Sequence, residues 1–383
     1  MNTKEKMDVY FSIITDVRDQ SYVTYKMSDI MFITVCGYVC GLRDEEEIAD
    51  FAEERREFFS KFMNYERLPC KATFSNIWKT IKPDELELCL HGILRNVLGG
   101  YRGKTAEKSQ ICVDGKVACG ENSIHIVTAL LADFRVSVGQ VLVDDKNNEI
   151  PAVQELLDLI NIENSVVSLD AMHCQKETMA KIIENKGDYV VQVKGNQENF
   201  REDIEGLFRI KGLVSESFRT IEKGHGRIET RVCQVLEDEA ADEKYFSEWR
   251  GLKKIFAVKR KTENCKTGEI SEETSYYISS CDTSAEELLG YTRKHWQIES
   301  FHWILDKIMG EDGAFLRDKN TQFCMNIVRK FAVSIVDNYI KNANPKKKTI
   351  SGNMRKCLLN SAYLEDILDL FLRLVLLQFC YIH

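Results

Sequence analysis

The chain has 383 residues, 44% hydrophobic and 29% charged, with 21 Gly and only 4 Pro. That balance fits a globular protein with room for two or three domains and excludes a disordered or fibrous chain. Lys and Arg number 52 against 60 Asp and Glu, a net charge of −8, so no overall positive field draws the molecule to a polyanion and any such contact must be local. The 13 cysteines are odd in number, scattered and never spaced C-x-x-C. They suggest neither a zinc ribbon nor a disulfide framework, and a cytoplasmic location is expected. Lys4, Glu5, Lys6 and Asp8 precede no clean apolar core, so no signal peptide is expected. The apolar run Ile30 to Leu42 is too short to span a bilayer, and no membrane partner is expected.

Residues 8–100 read as helical. Ile30, Ile33, Thr34, Gly37 and Tyr38 recur at helical spacing, with Ser28-Asp29 as the expected N-cap. Ala49, Phe51, Phe58, Phe59 and Phe62 continue the pattern on an acidic helix, and Thr73 to Trp78 and Pro83 to Leu86 look like two more helix starts. A helix-turn-helix contact with DNA is disfavoured on the acidic face Asp44 to Glu57.

Near residue 110 the period changes. Ile111 to Val113, Ile124 to Leu131, Val136 to Val143, Val166 to Leu169 and Tyr189 to Val193 are short, nearly continuous apolar runs suited to strands buried on both faces. Helical patterns lie between them, Pro151 to Ile160 (with Pro at the first helical position) and Gln175 to Lys186. The order is α/β and matches a ribonuclease H-like core. Residues 200–275 turn mostly β: Arg227 to Val235 alternates, and Ile255 to Lys261 and Glu273 to Ile278 flank a hairpin loop at Glu263 to Gly268. Thr283-Ser284-Ala285-Glu286 reads as a capping box opening a helix that runs to about Met309, and Phe323 to Ile340 is a further amphipathic helix.

Three carboxylates carry the candidate chemistry. Asp114 is expected to end the first core strand and Asp170 a later one, at the strand ends where α/β sheets collect ligands. Glu299 lies mid-helix. Three converging carboxylates suit Mg²⁺, with Mn²⁺ as its substitute, and two such ions can serve phosphodiester displacement. Each residue also has a plainer explanation, since a strand-end Asp is more often a cap and a mid-helix Glu usually faces water. Context favours chemistry: His295, Glu299, His302, Trp303 and Asp306 share one helical stripe, and solvated faces rarely gather such groups.

Seven ordered blocks, Val113 to Lys116, Ser168 to Lys176, Gly187 to Gln197, His225 to Arg231, Trp249 to Lys253, Tyr276 to Ser280 and Arg293 to Glu299 with His302-Trp303, together resemble the ISAs-type insertion-sequence transposases, including the H-repeat-associated proteins of the DDE group. The resemblance implies an N-terminal helical associated domain over 1–105 and a ribonuclease H-like catalytic core over 106–199 and 276–345. It also implies a β-rich insertion over 200–275, before the last carboxylate, and the charge pattern marks a basic C-terminal tail over 346–383. It maps the metal-binding, catalytic triad onto Asp114, Asp170 and Glu299, and implies metal-dependent DNA cleavage and strand transfer on double-stranded DNA by a homodimer. The broader group carries Tyr, Arg and Lys seven and four residues before the glutamate and seven after it. Here those positions hold Thr292, His295 and Asp306, and Arg293, Lys294 and Lys307 are the substitutes at hand. The C-terminal stretch 376–383 matches no family pattern.

Further DNA contacts are expected from Lys116, Lys194, Asn196, Arg227, Arg231, Arg293, Lys294, His295 and His302, with Lys194-Gly195-Asn196 readable equally as a plain turn. Trp249 is a candidate for stacking on an unpaired base, with core packing the plainer alternative. Asn338 to Leu364 holds Lys341, Lys346, Lys347, Lys348, Arg355 and Lys356 and no acid, a candidate backbone contact. The histidines show no H-E-x-x-H or clustered Cys/His spacing, which argues against a zinc hydrolase. Two alternatives stay open at this level, a ribonuclease H-like nuclease without strand transfer and a non-catalytic transposon-derived DNA-binding protein.

Overall fold

The structure, a computed structural model, describes residues 2–99, 108–118, 123–143, 149–236, 247–313 and 318–376. The chain opens with helices α1 (Thr3–Phe11), α2 (Met27–Val39), α3 (Glu45–Glu54), α4 (Arg56–Phe59), α5 (Lys71–Trp78) and α6 (Pro83–Gly99). Helix α2 is almost wholly buried and is capped at Lys26, not at Ser28-Asp29. Asp29 is unavailable as a cap because its carboxylate binds Lys4 Nζ at 2.6 Å and the Tyr65 hydroxyl. The phenylalanine-rich acidic helix is in fact two, broken at Arg55 with φ −107° and ψ 25°.

Strands β1 (Ser109–Ala118), β2 (Ile124–Leu131) and β3 (Val136–Val143) form an antiparallel meander. Helix α7 (Glu149–Leu159) leads to β4 (Ser165–Leu169), and α8 (Lys176–Glu184) to β5 (Asp188–Val193). Strand β4 lies parallel to both β1 and β5. The order β3-β2-β1-β4-β5 with these directions is the expected ribonuclease H-like core. Helix α7 starts at Glu149, two residues before Pro151, whose missing N–H costs nothing in a first turn.

The β-rich region begins with a helix, α9 (Glu198–Arg209), followed by β6 (Val214–Gly224), β7 (Arg227–Leu236), β8 (Lys254–Asn264) and β9 (Ile270–Ser279). Strand β9 pairs antiparallel with β5, so these strands extend the core into one nine-stranded sheet. The β8–β9 loop follows its turn chemistry: Asn264 Oδ1 accepts from the Lys266 N–H at 2.9 Å, and Gly268 takes φ +71°.

Helix α10 (Ala285–Lys307) crosses one face of the sheet, capped by Ser284, whose hydroxyl accepts from the Glu287 N–H at 3.3 Å. The cap thus lies one residue later than the capping box predicts. Helix α11 (Lys319–Ala343) is buried along most of its length against α2, α6 and β3. The segment expected as a basic tail is instead two packed helices, α12 (Ile350–Leu359) and α13 (Ser361–Leu376). Their Ile350, Met354, Cys357, Leu364, Ile367, Leu368 and Phe371 are buried, which anchors them to the body despite the surrounding charge. Residues 377–383 of that expected tail lie outside the described residues. One continuous apolar core runs from Met7 to Leu372 and joins the N-terminal helices to the sheet.

Candidate active site

Parallel pairing of β1 with β4 runs from Ser109↔Ser165 to Val113↔Leu169 and stops there. Asp114 and Asp170 are therefore the next residues on two adjacent strands. Neighbouring strands lie about 4.8 Å apart, so both acids leave the sheet at one level. Asp114 does not end its strand, however: β1 continues to Ala118 beside β2, with Asp114 opposite Thr128. Glu299 comes from α10 above this point. All three line one cleft of about 670 Å³.

The surroundings of the carboxylates differ. Asp170 lies 3.4 Å from Lys194 Nζ. Burial pushes its carboxyl up, but the Ala171 N–H, Lys194 and His295 prevail and hold it below the ordinary range. Asp114 Oδ2 lies 3.4 Å from Nδ1 of His302, which is buried. Burial raises the Glu299 carboxyl, and repulsion from Asp114 and Asp170 raises it further against a weaker pull from Lys194. His295 Nδ1 sits 3.0 Å from the Ser168 hydroxyl, and burial holds its imidazole below the ordinary value despite both aspartates. The three acids share the cleft without closing into a ready-made coordination shell: among the described residues, no group of three or more His, Cys, Asp or Glu side chains is placed to hold a metal ion.

The same cleft is rich in guanidinium groups. Arg227, Arg231, Arg260 and Arg293 all line the cleft, and each already has a carboxylate partner. Arg227 pairs with Glu229 at 2.9 Å, Arg231 with Glu229 and with Glu222 at 3.3 Å, Arg260 with Glu273 at 2.9 Å, and Arg293 with Glu222 at 2.7 Å. Trp296 also lines the cleft and is 59% exposed.

Other expected contacts fall elsewhere. Lys116 is not available to DNA: its ammonium is bound by Asp306 and Glu311, and its side chain is only 11% exposed. Trp249 is not available either, being 1% exposed and stacked on Phe200 with centroids 5.2 Å apart. Lys294 pairs with Asp133 at 2.7 Å and does not line the cleft. Asn196 donates to the Ala171 carbonyl at 2.7 Å and so pins the turn after Asp170. Lys346, Lys347 and Lys348 are exposed in the link between α11 and α12.

Sequence reasoning missed a buried cluster under the site. His125 Nε2 and His173 Nε2 approach the two oxygens of Glu149 at 3.2 and 3.1 Å. Gly115 makes room for it, because a Cβ there would collide with Glu149 and come within 2.9 Å of His125 Nε2. The available signal was the Gly directly after Asp114 inside a strand pattern.

A ribonuclease H-like sheet that delivers two strand-level aspartates and a helical glutamate to one cleft defines a class of nucleic-acid enzymes. The family model described as "Transposase DDE domain" matches residues 102–335, and that described as "DDE_Tnp_1-associated" matches residues 9–93. The chain belongs to the DDE transposase family, in its H-repeat-associated group. It is 33% identical over 376 residues to "Putative transposase YncI" of Escherichia coli O157:H7, covering 94% of this chain and 93% of that protein. It is 32% identical over 385 residues to "H repeat-associated putative transposase YhhI" of Escherichia coli K12, covering 96% and 98%. A piggyBac transposase in a synaptic complex with hairpin DNA overlaps 95% of this chain and 81% of that one, at 11% identity and a TM-score of 0.48. Among the described residues, no helix is long and apolar enough to cross a membrane.

Proposed function

We propose that this chain cleaves double-stranded DNA at the ends of an insertion element and joins those ends to target DNA, using Asp114, Asp170 and Glu299 to hold Mg²⁺ or Mn²⁺. The observation that carries the reading is the shared cleft, which brings the three carboxylates together with four arginines. The donor set fits a hard divalent ion because it offers carboxylate oxygens, and the Glu299 carboxyl is raised first by burial and then by repulsion from Asp114 and Asp170, which such a cation relieves. Bound there, the ion supplies activation of the attacking oxygen and neutralisation of charge at the phosphate. Arg227, Arg231, Arg260 and Arg293 orient the phosphodiester backbone within the same cleft, exchanging carboxylate for phosphate partners. The Ala171 N–H and, after it, Lys194 favour the ionised form of Asp170 against the effect of burial. His302 holds the Asp114 side chain, and the Ser168 contact fixes His295 beside both acids. No covalent enzyme–DNA bond is needed. Joining two ends calls for two such sites, so the reading includes a homodimer on DNA.

The test is cleavage of DNA carrying the element's own ends in the presence of Mg²⁺. Asp114→Asn is expected to abolish cleavage and leave the cooperative melting transition in place. Full cleavage by that variant would overturn the assignment. A second reading, a DNA-binding protein without catalysis, is favoured by one observation, that the three acids do not stand together as a ready-made shell. It predicts metal-independent binding to element ends and no cleavage by the unmutated protein.

A further inference from the structure

Four alternate residues of β1 each reach helix α10 from one face of the strand. Gln110 Nε2 donates to the Tyr291 carbonyl at 2.8 Å, and Cys112 Sγ to the Lys294 carbonyl at 3.5 Å. Asp114 meets His302 at 3.4 Å, and Lys116 forms its ion pair with Asp306. From residue 110 to 116 an extended strand covers about 20 Å. From 291 to 306 a helix covers about 22 Å. The two lengths match, so helix and strand run side by side in a fixed register, with Glu299 between the second and third contacts.

The Lys116 end of this ladder is the most firmly built. Glu311, 1% exposed, takes the same ammonium and also accepts from Asn326 Nδ2 at 2.5 Å. The ammonium thus bridges the strand that carries Asp114 to the helix that carries Glu299.

We propose that Lys116 and Asp306 are positioning residues: their partly buried pair locks α10 onto β1 and thereby sets the separation of Glu299 from Asp114 for divalent-cation binding. The inference rests on the triad reading above. Its test is direct titration of the full-length protein with Mn²⁺ in the absence of DNA, followed by electron paramagnetic resonance, alongside melting curves. Asp306→Asn is expected to weaken Mn²⁺ binding about tenfold or more. Glu311→Gln, which removes the partner lying beyond the helix, is expected to lower Tm and leave Mn²⁺ affinity within about twofold, well short of such a loss. A lowered Tm with unchanged Mn²⁺ affinity in Asp306→Asn would overturn the proposal and make the pair structural only. If Asp306→Asn does not fold, Lys116→Arg keeps both charges but changes their reach; an altered Mn²⁺ affinity supports the positioning role and an identical one overturns it. Failure of the triad itself is recognised separately, because Mn²⁺ uptake would then be unaffected by Asp114→Asn.

Discussion

The Glu299 carboxyl offers a sign inversion that ordinary surface glutamates do not. It is exposed on α10, yet burial and then the charges of Asp114 and Asp170 push its pKa above the ordinary 4.5. A carboxyl raised in the folded state contributes stability below its unfolded pKa and loses that stability as pH rises through the folded value. At pH 7.5 the ionised Glu299 is therefore a net cost when no divalent ion is present. Solvent screening keeps that cost small, below about 0.5 kcal/mol. Glu299→Gln is accordingly expected to melt at the same temperature as the parent or slightly higher in a chelating buffer. With Mg²⁺ at a hundredfold excess over its dissociation constant, the parent gains about 2.7 kcal/mol. At about 1.2 °C per kcal/mol for a chain of 383 residues, that is a rise of about 3 °C. A variant binding tenfold more weakly gains only about 1.4 kcal/mol, or less than about 2 °C. Differential scanning fluorimetry at pH 7.5, with and without Mg²⁺, reads both halves. Equal Mg²⁺-induced shifts in parent and variant would refute the role given to Glu299.

Trp249→Ala should destabilise the fold by about 3–5 kcal/mol, because it empties a buried stack against Phe200; single-stranded DNA affinity measured below the variant's Tm should not change, and a selective loss there would restore the stacking role. Lys330 is buried with its pKa pushed down to about 7, chiefly by burial, and donates to Thr128 Oγ1 at 2.7 Å and Gln140 Oε1 at 2.5 Å. Its cost is absent above the unfolded pKa of 10.5, grows as pH falls and is complete below about 7. Between pH 9 and pH 7 the parent should lose at most about 2–3 kcal/mol through this group, and Lys330→Met should flatten that slope in denaturant titrations; parallel slopes would contradict it. Replacing Lys346, Lys347 and Lys348 together by Glu should reduce the salt dependence of DNA binding by up to about 3 in log–log slope, and an unchanged slope would remove this link from the interface.

Much of the framework is legible in one dimension because the physics is local there. All eight residues of β2 are buried, and a nearly continuous apolar run, interrupted only by His125 and Thr128, is the mark of such a strand. The β8–β9 loop follows from Asn264 and Gly268 alone. The end of β1 is not legible in this way. Asp114-Gly115-Lys116 interrupts the apolar run and reads as a strand terminus, yet the strand continues because its polar side chains find partners on α10 about 190 residues away. The same effect hides the cap of α2, where Asp29 spends its carboxylate on Lys4 and Tyr65. Both misreadings have one cause, a charged residue whose partner lies far along the chain.

The site divides along the same line. Asp114 and Asp170 can be placed from strand patterns, since each directly follows the last paired residue of the parallel β1–β4 ladder. Glu299 cannot, because nothing in a helix sequence states which strand it crosses; its placement came from the resemblance, and its neighbours from the fold. Lys116 shows why charge alone misleads. In sequence it is a cation two residues from a candidate catalytic acid, which suggests phosphate, whereas in the fold it is buried between two carboxylates. An ammonium so placed is strongly tied down, since removing one partner of a buried pair leaves an uncompensated charge. Its contribution to any DNA chemistry must therefore pass through the geometry of α10 and not through contact with the backbone.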